Sequence, residues 1–152
     1  QLLTQGELIG VLAHEMGHNK LKHIQKTLIM SSALIFAGFY FWSLLLNYAP
    51  LYQAFGLSGN TLFPALMVFP LIMGPVTFFL HPLTNLFSRK HEYQADAFSA
   101  KVTLSVEDLQ RALLKLNEKN LSNLTPHPVY SFFYYSHPTL AERLKALDAL
   151  KS

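Results

Sequence analysis

The amino-acid sequence predicts an all-α fold of the integral-membrane kind, with two transmembrane helices and helical segments on both flanks. Two observations carry this expectation. Lys26 is followed by no Asp, Glu, Lys or Arg until Arg89, an interval of 62 residues, so all 12 basic and 9 acidic side chains sit in the flanks. A chain of 152 residues would ordinarily form one domain. A compact water-soluble domain exposes too much of its chain to keep such an interval from the surface, whereas a bilayer solvates it. The second observation is that the interval divides into two stretches of membrane-crossing length.

The elements follow in order. Residues 1–26 read as a helix rich in metal-ligating side chains. Thr27 to Leu46, TLIMSSALIFAGFYFWSLLL, has about the 20 residues that a helix needs to cross roughly 30 Å of hydrocarbon. Residues 47–60, NYAPLYQAFGLSGN, contain Pro, Gly and Asn and suit an interfacial loop, with Tyr at headgroup depth. Residues 61–83 form the second span, in which Pro64, Pro70 and Pro75 predict kinks or support from neighbouring protein. Residues 84–152 return to the first flank's side. A buried helical hairpin is the soluble alternative to the two spans.

Orientation follows from the bases. Lys20, Lys22 and Lys26 precede the first span and Arg89 and Lys90 follow the second, while the connecting loop has no Lys or Arg. The positive-inside rule therefore puts both flanks in the cytoplasm, facing each other. The formal charge of +3 lies beside the membrane and points to anionic headgroups, not nucleic acid, as its partner. The absence of cysteine excludes disulfides and thiolate metal sites. The chain opens at Gln1 within a helical pattern, without an initiator Met or signal peptide, and so reads as part of a longer protein.

The metal-ligating residues have a definite spacing. Leu8, Ile9, Val11, Leu12 and Met16 recur at helical intervals, which places His14 and His18, at i and i+4, on one face. Two imidazoles so placed can share a zinc ion, and Glu15 between them can take a proton from the attacking water. A catalytic site needs a third protein ligand and an open fourth position. The helix NLFSRKHEYQADAFSA offers Glu92 as that ligand and Asp96, one turn on, to accept the outer N–H of a ligand histidine. The alternative for Glu92 and Asp96 is a solvated face paired with Arg89 or Lys90.

HEMGHNKLKH, NLFSRKHEYQADAFS and YSFFYYSHPTLAERLKAL together resemble the catalytic portion of the type I CAAX prenyl protease family, integral-membrane zinc endopeptidases of the gluzincin group. The likeness covers nearly the whole chain and implies further spans ahead of Gln1. It implies cytoplasmic metalloprotease helices around two membrane spans, with one Zn2+ per chain held by His14, His18 and Glu92. It implies Glu15 as general base, Asp96 as orienter of a zinc ligand, His137 in contact with the reacting carbonyl, and Arg143 supporting the site. The implied partners are the lipid bilayer and a peptide or protein substrate, prenylated or membrane-tethered. The implied location is the bacterial inner membrane or the endoplasmic reticulum. Two other functions share some of these features: a membrane-protein quality-control metalloprotease of the HtpX kind, and a non-catalytic zinc-stabilised scaffold. An intact Glu15 argues against the scaffold, because a structural metal has no need of a base.

The remaining flank residues read as ordinary. Ser105 and Asp108 form a capping box that opens a helix with Leu109, Leu113 and Leu116 as its packing stripe. NLSNLTPHPVYSFFYY reads as a loop lying on the membrane surface or the catalytic helices, and TLAERLKALDAL as the last helix. His23 lies more than a third of a turn off the ligand face, which suits a supporting or surface position. His81, near the end of the second span, can line a route to the site. His91 and His127 read as surface residues.

Overall fold

The computed structural model describes residues 3–57, 62–120, 123 and 126–151. Among these are seven helices and no strand: α1 (Gln5–Lys20), α2 (His23–Leu45), α3 (Ala49–Ala54), α4 (Leu62–Thr103), α5 (Val106–Asn120), α6 (Pro128–Tyr134) and α7 (Leu140–Asp148). The chain forms two compact units, one of Gln1–Gln25 with Pro82–Ser152 and one of Lys26–His81.

Unit Lys26–His81 is built on the uncharged interval. Trp42, Tyr52, Ala65 and Val68 are its buried core, and Trp42 meets Phe69 edge-to-face at 4.9 Å. Most of its apolar side chains face outward: Leu28, Phe36, Phe39 and Tyr40 on α2 and Leu62, Phe63 and Phe79 on α4 are all exposed. Only 6% of the apolar window of α2 and 17% of that of α4 is buried within the chain. The core helix of a soluble protein would be mostly buried, so the two helices have the length and the outward apolar surface of membrane spans.

The second span and the motif helix beyond it are one element. Expected as Thr61–Leu83 and Asn85–Ala100, they form the single 42-residue α4, which continues through Pro64, Pro70, Pro75 and Pro82. Pro64 falls in the first turn, where its missing N–H would have had no partner; each later proline removes one bond of a ladder that the remaining residues sustain. Residue 61 lies outside the described residues, as do 58–60 of the expected loop; the described part of that loop contains the short helix α3, opened by Pro50.

The other unit packs α1, the C-terminal part of α4, α5 and α7 around Val106, Leu109 and Leu147. Helix α1 has its own start: the Thr4 hydroxyl accepts from Glu7 N at 3.3 Å, and the Glu7 carboxylate accepts from Thr4 N at 2.8 Å. This capping box starts α1 at Gln5 and is worth about 1 kcal/mol for its cap residue. Glu7 is also buried and bound by Lys115 at 2.7 Å, which ties α1 to α5. Gly17 lets α1 approach α4, because a β-carbon there would sit 3.1 Å from Ala95 Cα and 3.2 Å from Phe98 Cβ. The Ser99 hydroxyl locks the same contact by donating to Gly10 O at 2.7 Å.

Candidate metal centre

Helix α1 brings His14 and His18 to one face, and α4 sets Glu92 and Asp96 against them. His14 Nε2 stands 3.1 Å from His18 Nε2 and 3.6 Å from Glu92 Oε2, and His18 Nε2 stands 3.4 Å from Glu92 Oε1. Donors around a tetrahedral zinc with bonds of about 2.1 Å are roughly 3.4 Å apart, so the trio fits such an ion. Among the described residues, these three are the group of His, Asp and Glu side chains close enough to hold a metal.

The surroundings favour the ligating forms. Burial, followed by the charge of His14, holds the His18 pKa below that of free imidazole, which favours the neutral ring a metal requires. Burial would raise the Glu92 carboxyl, but the His137 hydrogen bond and the Arg143 charge outweigh it and leave its pKa lowered. Asp96 is likewise kept ionised, against burial, by bonds from His14 and Arg143. Its Oδ1 accepts from His14 Nδ1 at 2.9 Å, which turns the lone pair of His14 Nε2 toward the trio. Arg143 Nε donates to Asp96 Oδ2 at 2.8 Å, and Arg143 Nη1 lies 3.5 Å from Glu92 Oε2.

Glu15 is exposed and lines a cavity of about 480 Å³ together with His14, His18, Glu92, His137 and Arg143. Val11, Leu109, Leu113 and Leu116 give the cavity an apolar lining as well. The α5 stripe therefore does more than pack, since Leu109 is core and all three leucines face the cavity. His137 Nδ1 lies 3.2 Å from Glu92 Oε1, and this bond raises the His137 pKa against the effect of burial.

The approach of His137 and Arg143 depends on a device not anticipated from the sequence. Thr139 and Glu142 form a capping box that starts α7 directly after His137 and Pro138, with bonds of 2.7 and 3.3 Å. Its signature, T-x-x-E ahead of an apolar run, is legible in TLAERLKAL. Glu142 also pairs with Arg89, so Arg89 serves α7 and not Glu92 or Asp96 as in the solvated-face alternative.

Other expectations change. His91 is buried, not a surface residue: it stacks on His23 at 4.1 Å with planes 8° apart, because the turn after α1 returns the chain to α4. His23 is buried as well. His127 is exposed, and its ring accepts from Val129 N at 3.3 Å at the start of α6, so part of the expected aromatic loop is helix. Residues 121, 122, 124 and 125 of that loop lie outside the described residues. His81 is exposed.

Known proteins resemble this chain in sequence and in fold. A CAAX prenyl protease 1 homolog of Arabidopsis thaliana is 38% identical over 148 residues, covering 97% of this chain and 35% of the relative. CAAX prenyl protease 1 of Saccharomyces cerevisiae is 40% identical, covering 93% of this chain and 34% of the relative. The crystal structure of S. mikatae Ste24p superimposes with a TM-score of 0.83 at 35% identity, over 97% of this chain and 37% of that one. The chain thus spans about a third of the length of the relatives it matches. Peptidase family M48 matches residues 1–151, and with the H-E-x-x-H helix set against a carboxylate-bearing helix, the chain belongs to that family.

Proposed function

We propose that this chain is the catalytic portion of a zinc-dependent endopeptidase working at the cytoplasmic face of a membrane, on substrates resembling prenylated CAAX proteins. The observation that carries the reading is the convergence of His14 Nε2, His18 Nε2 and Glu92 at 3.1–3.6 Å, on the wall of a cavity that also holds Glu15. In this reading His14, His18 and Glu92 hold one Zn2+ per chain. The ion would supply a Lewis acid that polarises the scissile carbonyl and makes water acidic near pH 7. Glu15 takes the proton of the attacking water and returns it to the leaving amine. His137 donates a hydrogen bond to the carbonyl oxygen as its negative charge develops. Asp96 and Arg143 keep His14 and Glu92 in place, and the Val11, Leu113 and Leu116 wall receives apolar side chains beside the scissile bond. The names of the relatives, CAAX prenyl protease 1, favour a prenylated substrate over a misfolded membrane protein.

The test is the full-length protein on a farnesylated peptide, with metal analysis. One zinc per chain, cleavage lost with a chelator and restored by zinc, is the expected result. Chelator-resistant cleavage, or a metal-free wild type, would sink the reading. Cleavage of a misfolded membrane protein in preference to the farnesylated peptide would move it to the quality-control alternative.

The domain reading places residues 1–26 and 84–152 in the cytoplasm, residues 27–46 and 61–83 in the bilayer and residues 47–60 on the far side. It rests on Lys20, Lys22, Lys26, Arg89 and Lys90 flanking a loop without bases. An impermeant thiol reagent applied from the non-cytoplasmic side should label a cysteine at the exposed Gln53 and spare one at the exposed Lys119. Labelling of both, or the reverse pattern, would refute the topology.

A further inference from the structure

We infer that His23 and Gln94 are positioning residues that set the tautomer of His18 and so complete the metal centre; this rests on the zinc reading above. His14 has a charged partner behind it, Asp96, at 2.9 Å. Behind His18, among the described residues, stands a neutral pair instead. The outer nitrogen of His18, Nδ1, faces His23 Nδ1 at 3.2 Å, and His23 Nε2 faces the amide oxygen of Gln94 at 3.1 Å.

The hydrogen positions follow by elimination. An amide oxygen only accepts, so His23 Nε2 carries the hydrogen, and in a neutral imidazole its Nδ1 is then an acceptor. The hydrogen between the two rings must therefore belong to His18 Nδ1. That leaves His18 Nε2 with its lone pair directed at His14 Nε2 and Glu92, as a ligand requires. Without the relay, His18 is free to carry its proton on Nε2, where an N–H would face the metal position.

Several features hold the relay in place. His91 stacks on His23 at 4.1 Å, and Phe87 meets His91 edge-on at 4.4 Å, which fixes the plane of the His23 ring. Both histidines are buried. His23 reaches the site because the chain reverses within two residues of the end of α1, with Lys22 at φ 56°, a left-handed conformation that side chains rarely adopt. Gln94 is supplied by α4, two residues beyond Glu92. One short turn and one helix thus bring both members of the relay behind the second histidine.

The test uses the full-length protein and measures zinc affinity by competition with a chelator, together with the melting temperature of the metal-free form. His23→Phe keeps a flat ring for the stack but accepts no hydrogen bond; Gln94→Leu removes the amide oxygen; Gln94→Glu keeps an acceptor. His23→Phe and Gln94→Leu should weaken zinc binding by about 10- to 100-fold, the usual cost of losing such a partner, at an unchanged metal-free melting temperature. Gln94→Glu should bind zinc as the wild type does. Wild-type affinity in His23→Phe, or a loss in Gln94→Glu equal to that in Gln94→Leu, would overturn the relay. A loss that follows a lowered metal-free melting temperature in both His23→Phe and Gln94→Leu would overturn it too, by assigning these residues to packing. A wild type that binds no zinc, or His18→Ala with wild-type affinity, is a different result, because it removes the metal reading itself.

Discussion

Glu15→Gln in the full-length protein should leave one zinc per chain in place and lower kcat by about 10²- to 10⁴-fold, the range that a positioned acid–base group contributes. The amide keeps the volume and a hydrogen-bonding oxygen of the carboxylate but cannot take a proton at neutral pH. Glu15 is exposed on the cavity wall and its neighbours His14 and His18 carry the proposed ligand atoms, so its replacement subtracts no ligand. As a surface substitution it should change stability by no more than about 0.5 kcal/mol. The measurement is single-turnover cleavage of a farnesylated peptide beside metal analysis. Activity within tenfold of the wild type, with zinc bound, would remove Glu15 as the base.

His137→Ala should lower kcat by about 10²- to 10³-fold with KM nearly unchanged, as when one oxyanion donor is deleted. A competing account is available, because His137 Nδ1 also binds Glu92 Oε1 at 3.2 Å. If that bond matters only for holding Glu92, the variant should lose zinc, and added zinc should restore turnover. If His137 touches the reacting carbonyl, zinc content and melting temperature should stay at wild-type values while turnover stays low. His137→Gln, which retains a donor, should recover part of the loss. Wild-type kcat in His137→Ala with zinc bound would return the residue to a surface role.

The division between what could and could not be read without coordinates follows sequence separation. The i, i+4 placement of His14 with His18, and of Glu92 with Asp96, depends on helix geometry alone and needs no partner element. The 62-residue uncharged interval is likewise a property of composition, and the structure turns it into two helices whose apolar windows are barely buried within the chain. Helix ends were less legible. The capping boxes at Thr4 and Thr139 carry a local signature, yet α4 runs on unbroken from the second span into the motif helix, through Pro64, Pro70 and Pro75, which read locally as kinks, and through Pro82.

By itself, the sequence determined the helical class, the apolar spans, the H-E-x-x-H face and the resemblance that singled out His137 and Arg143. Only the tertiary structure decided which polar groups stand behind these residues. Arg143 meets Asp96 across 47 residues and His23 meets Gln94 across 71, and the same folding buries His91 and turns Leu113 and Leu116 toward a cavity. No local pattern encodes such pairs, because they depend on where α1 and α7 settle against α4. That docking is set by non-directional apolar burial at residues such as Leu147 and by the clearance at Gly17, while the polar contacts follow from it.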